Sequence, residues 1–139
     1  MEFQFNYLAI LVASLSGFVL GGLWYGPLFG KAWMAASGIT EDDVKKTNFA
    51  KVYGVTFLMN VIAAYVLAHA ILAFGYALPD VTGVMAGVQG GFWTWLGYVL
   101  TVRVTEAMFE RTNKRVVLIS LGYRLVWLIV MGIIISVWR

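Results

Sequence analysis

The sequence predicts an all-α membrane protein: a bundle of four transmembrane helices, with a short interfacial helix after the first span and both termini outside. The first observation is composition, since 61% of the residues are hydrophobic and 12% are charged. A soluble domain carries roughly 25% charged residues, so this chain lacks the polar groups to cover a water-facing surface. The second observation is four apolar runs of about 20 residues, the length that crosses the hydrocarbon of a bilayer as a helix.

The first predicted helix covers residues 7–25 and leads into the unusual stretch WYGPLFGKAW, residues 24–33. Trp24 and Tyr25 stand where belt aromatics meet a membrane interface. Gly26 and Pro27 are expected to end or sharply bend the helix, with Pro27 opening a new short helix. The apolar residues around Lys31 then predict a segment lying among the lipid head groups.

A helix start is predicted at Thr40, because Asp43 follows three residues later in the pattern of a capping box. This helix either runs on into the second span or breaks near Thr47 and Asn48. The remaining spans are predicted at residues 52–74, 84–105 and 116–138. None of the four runs shows the alternation of a barrel strand, and the whole chain, 1–139, is expected to form one integral membrane domain.

The basic residues predict the orientation of the helices. They cluster in the first and third loops as Lys31, Lys45, Lys46 and Lys51, and then as Arg103, Arg111, Lys114 and Arg115. The second loop, GYALPDVTG, has neither Lys nor Arg. Because short basic loops stay in the cytoplasm, the first and third loops are expected inside. The N terminus, the second loop and the C terminus with Arg139 are expected outside a cell (inner or plasma) membrane.

Three stretches resemble a family of small bacterial membrane proteins known as domain of unknown function seventeen-sixty-one. They are NYLAILVASLSGFVLGGLWYGPLFGKAW at 6–33, VLAHAI at 66–71 and LGYRLVWLIVMG at 121–132. The resemblance covers nearly the whole chain, and the Trp-Tyr-Gly-Pro region is its most specific part. It implies a four-helix membrane protein, and it supplies no substrate, cofactor or catalytic residue.

Small residues recur at four-residue spacing in two of the runs, with Gly17 and Gly21 in the first and Gly87 and Gly91 in the third. Such patterns let helix backbones approach closely in lipid. They predict helix packing within one protomer, with a seam between copies of a homo-oligomer as the alternative.

Function is sought among the polar residues inside the membrane, because an ionisable group there is costly and usually faces protein or water. Arg124 is the strongest candidate, since it lies well inside the fourth run. Asn60, Tyr98 and Thr101 are expected at a similar depth, and Glu106 lies within reach if Arg124 extends toward the cytoplasm. These five residues are interpreted either as a salt bridge with packing partners or as a charged cytoplasmic vestibule that attracts anions.

Three further residues are weighed separately. Arg103 shares a helical stripe with Glu106, which favours a salt bridge, while Arg103 and Lys31 are also candidates for contact with a lipid head group. His69 is expected to be a hydrogen-bonded helix contact, with a proton relay as the alternative because its charge changes near neutral pH.

Two functional hypotheses follow. The first is transport or permeation of a small solute or anion by a homo-oligomer, and the alternative is a structural protein that binds lipids or a partner without transport. An enzyme is not expected, because no paired carboxylates or Ser–His–Asp set is present at one depth. The chain has no cysteine and one histidine, so no metal or cofactor is expected. The expected partners are membrane lipids and further copies of the chain, and not nucleic acid.

Overall fold

The computed structural model describes residues 4–138, and these residues are helical, with no strand among them. The predicted all-α class is confirmed. In chain order the elements are α1 (Tyr7–Leu23), a π-helical segment π1 (Trp24–Leu28), α2 (Gly30–Ser37), α3 (Glu41–Lys45), α4 (Phe49–Ala77), α5 (Gly83–Thr94), a second π-helical segment π2 (Trp95–Leu100), α6 (Thr101–Glu110) and α7 (Lys114–Val137). The chain termini, whose outward placement the charge pattern predicts, lie outside the described residues.

Three helices in the described part are long and apolar enough to cross a membrane: Tyr7–Leu28, Phe49–Ala77 and Lys114–Val137. They coincide with the first, second and fourth apolar runs. The second begins three residues earlier than predicted, because the Asn48 side chain caps it by accepting a hydrogen bond from the backbone N–H of Lys51. Asn113 caps α7 in the same way through the N–H of Arg115.

The third apolar run is helical without a break from Gly83 to Glu110, although residues 84–105 were predicted. Its α-helical hydrogen bonding is interrupted by π2, and its last turns carry charged side chains, including Arg103. At 1.5 Å per residue this stretch is about 40 Å long. It ends at Arg111, whose left-handed backbone (φ 55°) turns the chain toward α7.

The end of the first span differs from the sequence-based expectation. Pro27 lies inside π1 and does not open the short helix, which begins at Gly30. A side chain at Gly30 would collide with the backbone carbonyl of Tyr25. The short helix therefore starts directly beneath the wide π turn, at a residue without a Cβ atom.

The capping box at Thr40 is confirmed. The Thr40 hydroxyl accepts from the N–H of Asp43 at 3.2 Å, and the Asp43 carboxylate accepts from the Thr40 N–H at 2.9 Å. The helix that it starts ends at Lys45, and Asn48 then opens α4. The chain thus breaks near Thr47 and Asn48, which was one of the two predicted outcomes.

The long helices pack with α7 at the centre, in contact with α1, α4 and α5, while α4 also packs on α1 and α5. Buried side chains from α1, α4 and α7 form the core, which consists of Ile10, Ala13, Ala64, Leu67, Ala68, Ile71, Trp127, Leu128, Met131 and Ile135. We call the end of the bundle that carries α2, α3 and the α6–α7 connection the basic end. The other end carries the α4–α5 connection.

Candidate functional site

One segment of α7 accepts hydrogen bonds from side chains of both π-helical segments. The indole N–H of Trp24, the first residue of π1, donates to the Ile119 carbonyl at 3.0 Å, and that of Trp95, the first residue of π2, donates to the Leu121 carbonyl at 3.0 Å. A methyl group at Gly122 would come within 2.9 Å of the Trp24 ring. Short π segments inside helices are frequent at functional sites, and here two of them are fixed on the same turn of α7.

Gly17 of α1 lies where three helices meet. Its carbonyl accepts from the Tyr123 hydroxyl at 2.8 Å. A methyl group at Gly17 would lie 2.7 Å from both the Asn60 amide nitrogen and the Trp127 indole nitrogen. The absence of a side chain therefore allows α4 and α7 to place both N–H groups against α1.

Asn60 is buried and bonded across the α1–α4 contact. Its amide donates to the Ser14 carbonyl at 3.2 Å, while the Ser14 hydroxyl donates to the Ile10 carbonyl at 2.7 Å. Asn60 is 6% exposed and Ser14 is fully buried. This polar pair is satisfied within the core and closes the bundle on the side away from the basic end.

Trp127 is buried beside this pair, and its indole N–H has no hydrogen-bond partner among residues 4–138. Its ring stacks on Tyr123, with 6.3 Å between ring centroids and 9° between planes. An unpaired buried donor is costly. This donor faces Gly17 of α1, and Trp127 lies one helical turn from Arg124 along α7.

Arg124 occupies a core-facing position of α7 and is nevertheless exposed. The buried stripe of α7 has successive spacings of four, three, four, three and four residues, which is one face of a helix. Its other members are all 9% exposed or less: Val117, Leu121, Leu128, Met131 and Ile135. An exposed arginine in this stripe shows that the bundle is open at this level.

The opening coincides with the exposure of α4 toward the basic end, where Tyr53 and Phe57 still contact the Phe18 ring of α1. Every residue from Phe49 to Thr56 is exposed, whereas α4 is buried at regular intervals from Asn60 to Ile71. At the basic end α6 is exposed along most of its length as well. The half of the bundle beyond Asn60 is closed by side chains such as Leu67 and Met131, at 2% and 0% exposure.

We call the cluster formed by Tyr25, Arg103, Ser120, Tyr123 and Arg124 the recess. The Tyr25 hydroxyl lies beside the Ser120 side chain and within range of the positive charges of Arg124 and Arg103. The ring of Tyr25 contacts that of Tyr123 with 5.4 Å between centroids. Elements far apart in sequence, π1, α6 and α7, thus bring two cations and the hydroxyl groups of Tyr25 and Ser120 together, while the Tyr123 hydroxyl donates to the Gly17 carbonyl.

Two arginines contribute to the recess, and one of them is paired with carboxylates. The Arg103 guanidinium lies 3.8 Å from both the Glu106 and Glu110 carboxylates, and its side chain is 22% exposed. No carboxylate lies within ion-pair distance of Arg124 in the described part of the chain. Arg124 therefore provides an uncompensated cation beside hydroxyl groups that can donate hydrogen bonds, and this arrangement can bind an anion.

The structure separates the five residues that the sequence groups around Arg124. Asn60 is in the core, Glu106 pairs with Arg103, and the Tyr98 side chain points away from the bundle at 75% exposure. The Thr101 hydroxyl donates to the Gly97 carbonyl of its own helix at 2.7 Å. Of this group, Arg124 alone belongs to the recess as the described residues define it.

The other candidate residues lie at opposite ends of the bundle. His69 is exposed near the α4–α5 end, where its Nδ1 lies 2.9 Å from the Tyr65 carbonyl and its ring contacts Phe5 at 4.3 Å between centroids. His69 thus lies at hydrogen-bond distance from its own helix, as in the predicted helix contact. Lys31 is exposed on α2 at the basic end. No group of three potential metal ligands occurs among residues 4–138.

The four glycines predicted to pack helices all lie at contacts inside the protomer. Methyl groups at Gly87 and Gly91 would come within 2.5 Å of α7 backbone atoms of Gly132 and Leu128 respectively, and Gly17 and Gly21 face α7 side chains. Sequence reasoning missed Gly132. Its signal was a glycine in an apolar run that contains one other, Gly122.

Sequence reasoning also missed three members of the recess, which are Tyr25, Ser120 and Tyr123. Tyr25 was assigned to the interfacial belt because it lies where the first predicted span meets the membrane interface. Ser120 and Tyr123 share a helix with Arg124 at spacings of four and one, and this nearness was the only available signal.

Comparisons with known proteins identify a family. The search of curated proteins and the search of solved structures each returned no match. A family profile described as "Protein of unknown function (DUF1761)" matches residues 8–136, which include every residue of the recess. The chain therefore belongs to the DUF1761 family.

Proposed function

We propose that the protein crosses the cell membrane four times, with the basic end in the cytoplasm. The three apolar helices supply three crossings, and the helix from Gly83 to Glu110 supplies the fourth. Two facts support a fourth crossing: its length of about 40 Å exceeds the roughly 30 Å of hydrocarbon, and α5 packs closely along α7. The Lys and Arg residues at the basic end give the orientation.

We further propose that the recess binds a small anionic solute from the cytoplasm, and that the protein transports it as a homo-oligomer without enzymatic activity. The observation that carries this proposal is Arg124, an exposed cation in the otherwise buried stripe of α7. In a four-crossing protein the recess opens toward the cytoplasm, while the packing beyond Asn60 closes the opposite half. This arrangement corresponds to an inward-open state of a carrier.

The fixed donors around Arg124 suit an oxyanion. A guanidinium group pairs with carboxylate or phosphate oxygens through two parallel hydrogen bonds. Hydroxyl groups of Tyr25 and Ser120 flank the site, and they can donate further hydrogen bonds. We infer a monovalent or divalent oxyanion as the solute.

The alternative function is a structural protein that binds lipid without transport. The observation that favours it is the exposure of Lys31 and Arg124 toward the basic end, where anionic head groups of the inner leaflet are attracted to basic residues. A lipid phosphate on Arg124 would use the same chemistry as a free oxyanion.

The test compares wild type with Arg124→Gln, and uses Arg115→Gln, an exposed arginine at the start of α7, as the matched control. Purified proteins are heated with potassium salts of phosphate, succinate, acetate and chloride, with gluconate as the reference. We expect one oxyanion to raise the unfolding temperature of wild type and the control, but not of Arg124→Gln. Counterflow of that radiolabelled anion in proteoliposomes should show the same pattern.

The possible outcomes separate the two functions. Stabilisation without counterflow, together with phosphatidylglycerol retained in native mass spectra of wild type and lost from Arg124→Gln, would refute transport and support lipid binding. An equal response of all three proteins to every salt, with no lipid difference, would refute the recess as an anion site.

A further inference from the structure

A cavity of about 290 Å³ lies between the end of α4 and the beginning of α5, at the opposite end from the recess. Its floor is formed by Ile71 and Ala86, which are 2% and 8% exposed. Its rim is formed by Phe74, Leu78 and Trp93, which are 42%, 46% and 51% exposed. The cavity is thus buried at its base and open through an apolar, partly aromatic rim.

The floor of the cavity packs closely on α5. A methyl group at Gly90 would lie 2.6 Å from Cγ1 of Ile71, so Ile71 already fills the space over that glycine. Because Ile71 is pressed against α5 on one side, it cannot move in that direction. Ile71 thus lies against α5 and leaves the space above it unfilled.

One polar side chain interrupts this apolar lining. Gln89 is half-buried in the cavity wall, and its amide makes no side-chain hydrogen bond among residues 4–138. Neither amide atom of Gln89 is fully buried, so the side chain is free to bond to a bound molecule. An oxygen on a bound molecule can accept from the amide nitrogen, and a hydroxyl can also donate to its oxygen.

We propose that this cavity binds a neutral molecule with an apolar body the size of two fused rings and one oxygen that bonds to Gln89. An apolar cavity of about 150 Å³ accommodates benzene, so this one has room for about two such rings. The residues that line it carry no charge, which favours a neutral molecule over an ion. Trp93 and Phe74 offer aromatic faces for stacking. The site is independent of the recess.

The test uses two probes that differ in their oxygens, 2-methyl-1,4-naphthoquinone and 2-methylnaphthalene. Binding is measured by calorimetry on the protein in lipid nanodiscs, with empty nanodiscs subtracted. We expect saturable binding of both. Gln89→Leu should weaken the quinone about tenfold, which corresponds to one hydrogen bond of about 1.4 kcal/mol. It should change the hydrocarbon less than twofold.

Two further variants complete the design. Ala86→Phe fills the cavity and should abolish both interactions, while Thr101→Val, at the basic end, should change neither. The proposal is overturned if wild type shows no saturable binding of either probe, as would be found if lipid filled the cavity. It is also overturned if Gln89→Leu weakens both probes equally, a result that remains informative if Ala86→Phe fails to fold.

Discussion

The closest approach of two helices gives the most specific prediction about stability. At Gly87 of α5, a methyl group would lie 2.5 Å from the backbone of Gly132 and Ile133 on α7. These are backbone atoms, which cannot rotate aside as a side chain can. The substitution Gly87→Ala therefore forces the two helices apart by about 1 Å, since ordinary carbon contacts begin near 3.5 Å.

The expected cost follows from two opposing terms. Overpacking costs roughly 1–3 kcal/mol, and the upper value applies because both contact partners are backbone. Replacing a helical glycine by alanine returns about 1 kcal/mol of helix propensity. We therefore expect Gly87→Ala to lower the free energy of unfolding by about 2 kcal/mol.

The matched control is Gly97→Ala, because a methyl group at Gly97 meets nothing within 4 Å. It should be neutral or stabilising by up to about 1 kcal/mol. Unfolding is followed by circular dichroism during titration of dodecylmaltoside micelles with sodium dodecyl sulfate. Equal stabilities of the two variants would refute the close packing of α5 on α7.

Three other substitutions test separate contacts. Asn60→Leu removes the donor to the Ser14 carbonyl and should cost about 1 kcal/mol in the same titration; an unchanged midpoint would contradict this bond. Trp24→Phe keeps an aromatic ring but loses the hydrogen bond to the Ile119 carbonyl. Hydrogen exchange in the first turns of α7 should therefore become severalfold faster. Unchanged exchange would mean that Trp24 does not hold this turn in place. At Asp43, hydrogen bonds from the backbone N–H and hydroxyl of the helix N-cap hold the carboxyl pKa below its usual 3.8. These bonds stabilise α3 fully above that value, and the stabilisation is lost as pH falls through the lower pKa of the folded state. The hydrogen-exchange protection of α3 in wild type, divided by that in Asp43→Asn, should therefore decline only below about pH 4. A ratio that stays constant with pH would contradict this prediction.

Local features of the fold could be predicted from the sequence. Composition and run length give the helical class, because the bilayer requires about 20 apolar residues per crossing. The capping box at Thr40 could be predicted because both partners lie within one turn. The boundary at Pro27 could not, since the π turn that absorbs it depends on Trp24 reaching a carbonyl of α7.

Two residues of the candidate site, Arg124 and Arg103, were identified as candidates from the sequence. Arg124 stands out because a charge within an apolar run is rare in membrane helices. Its surroundings depend on where the side chains of α4 become exposed and on how π1 places Tyr25, and neither is encoded by spacing along one helix. Glu106 appeared to be a partner from depth alone, but Arg103 on its own helix is closer.

The four-crossing topology is tested most directly by cysteine labelling, because the chain has no cysteine of its own. Single variants Asp80→Cys and Thr112→Cys place one thiol at each end of the helix from Gly83 to Glu110. We expect an impermeant maleimide to label Asp80→Cys on intact cells and Thr112→Cys only after permeabilisation. Labelling of both variants on intact cells, or of neither, would contradict a fourth crossing, and the reverse pattern would contradict the orientation.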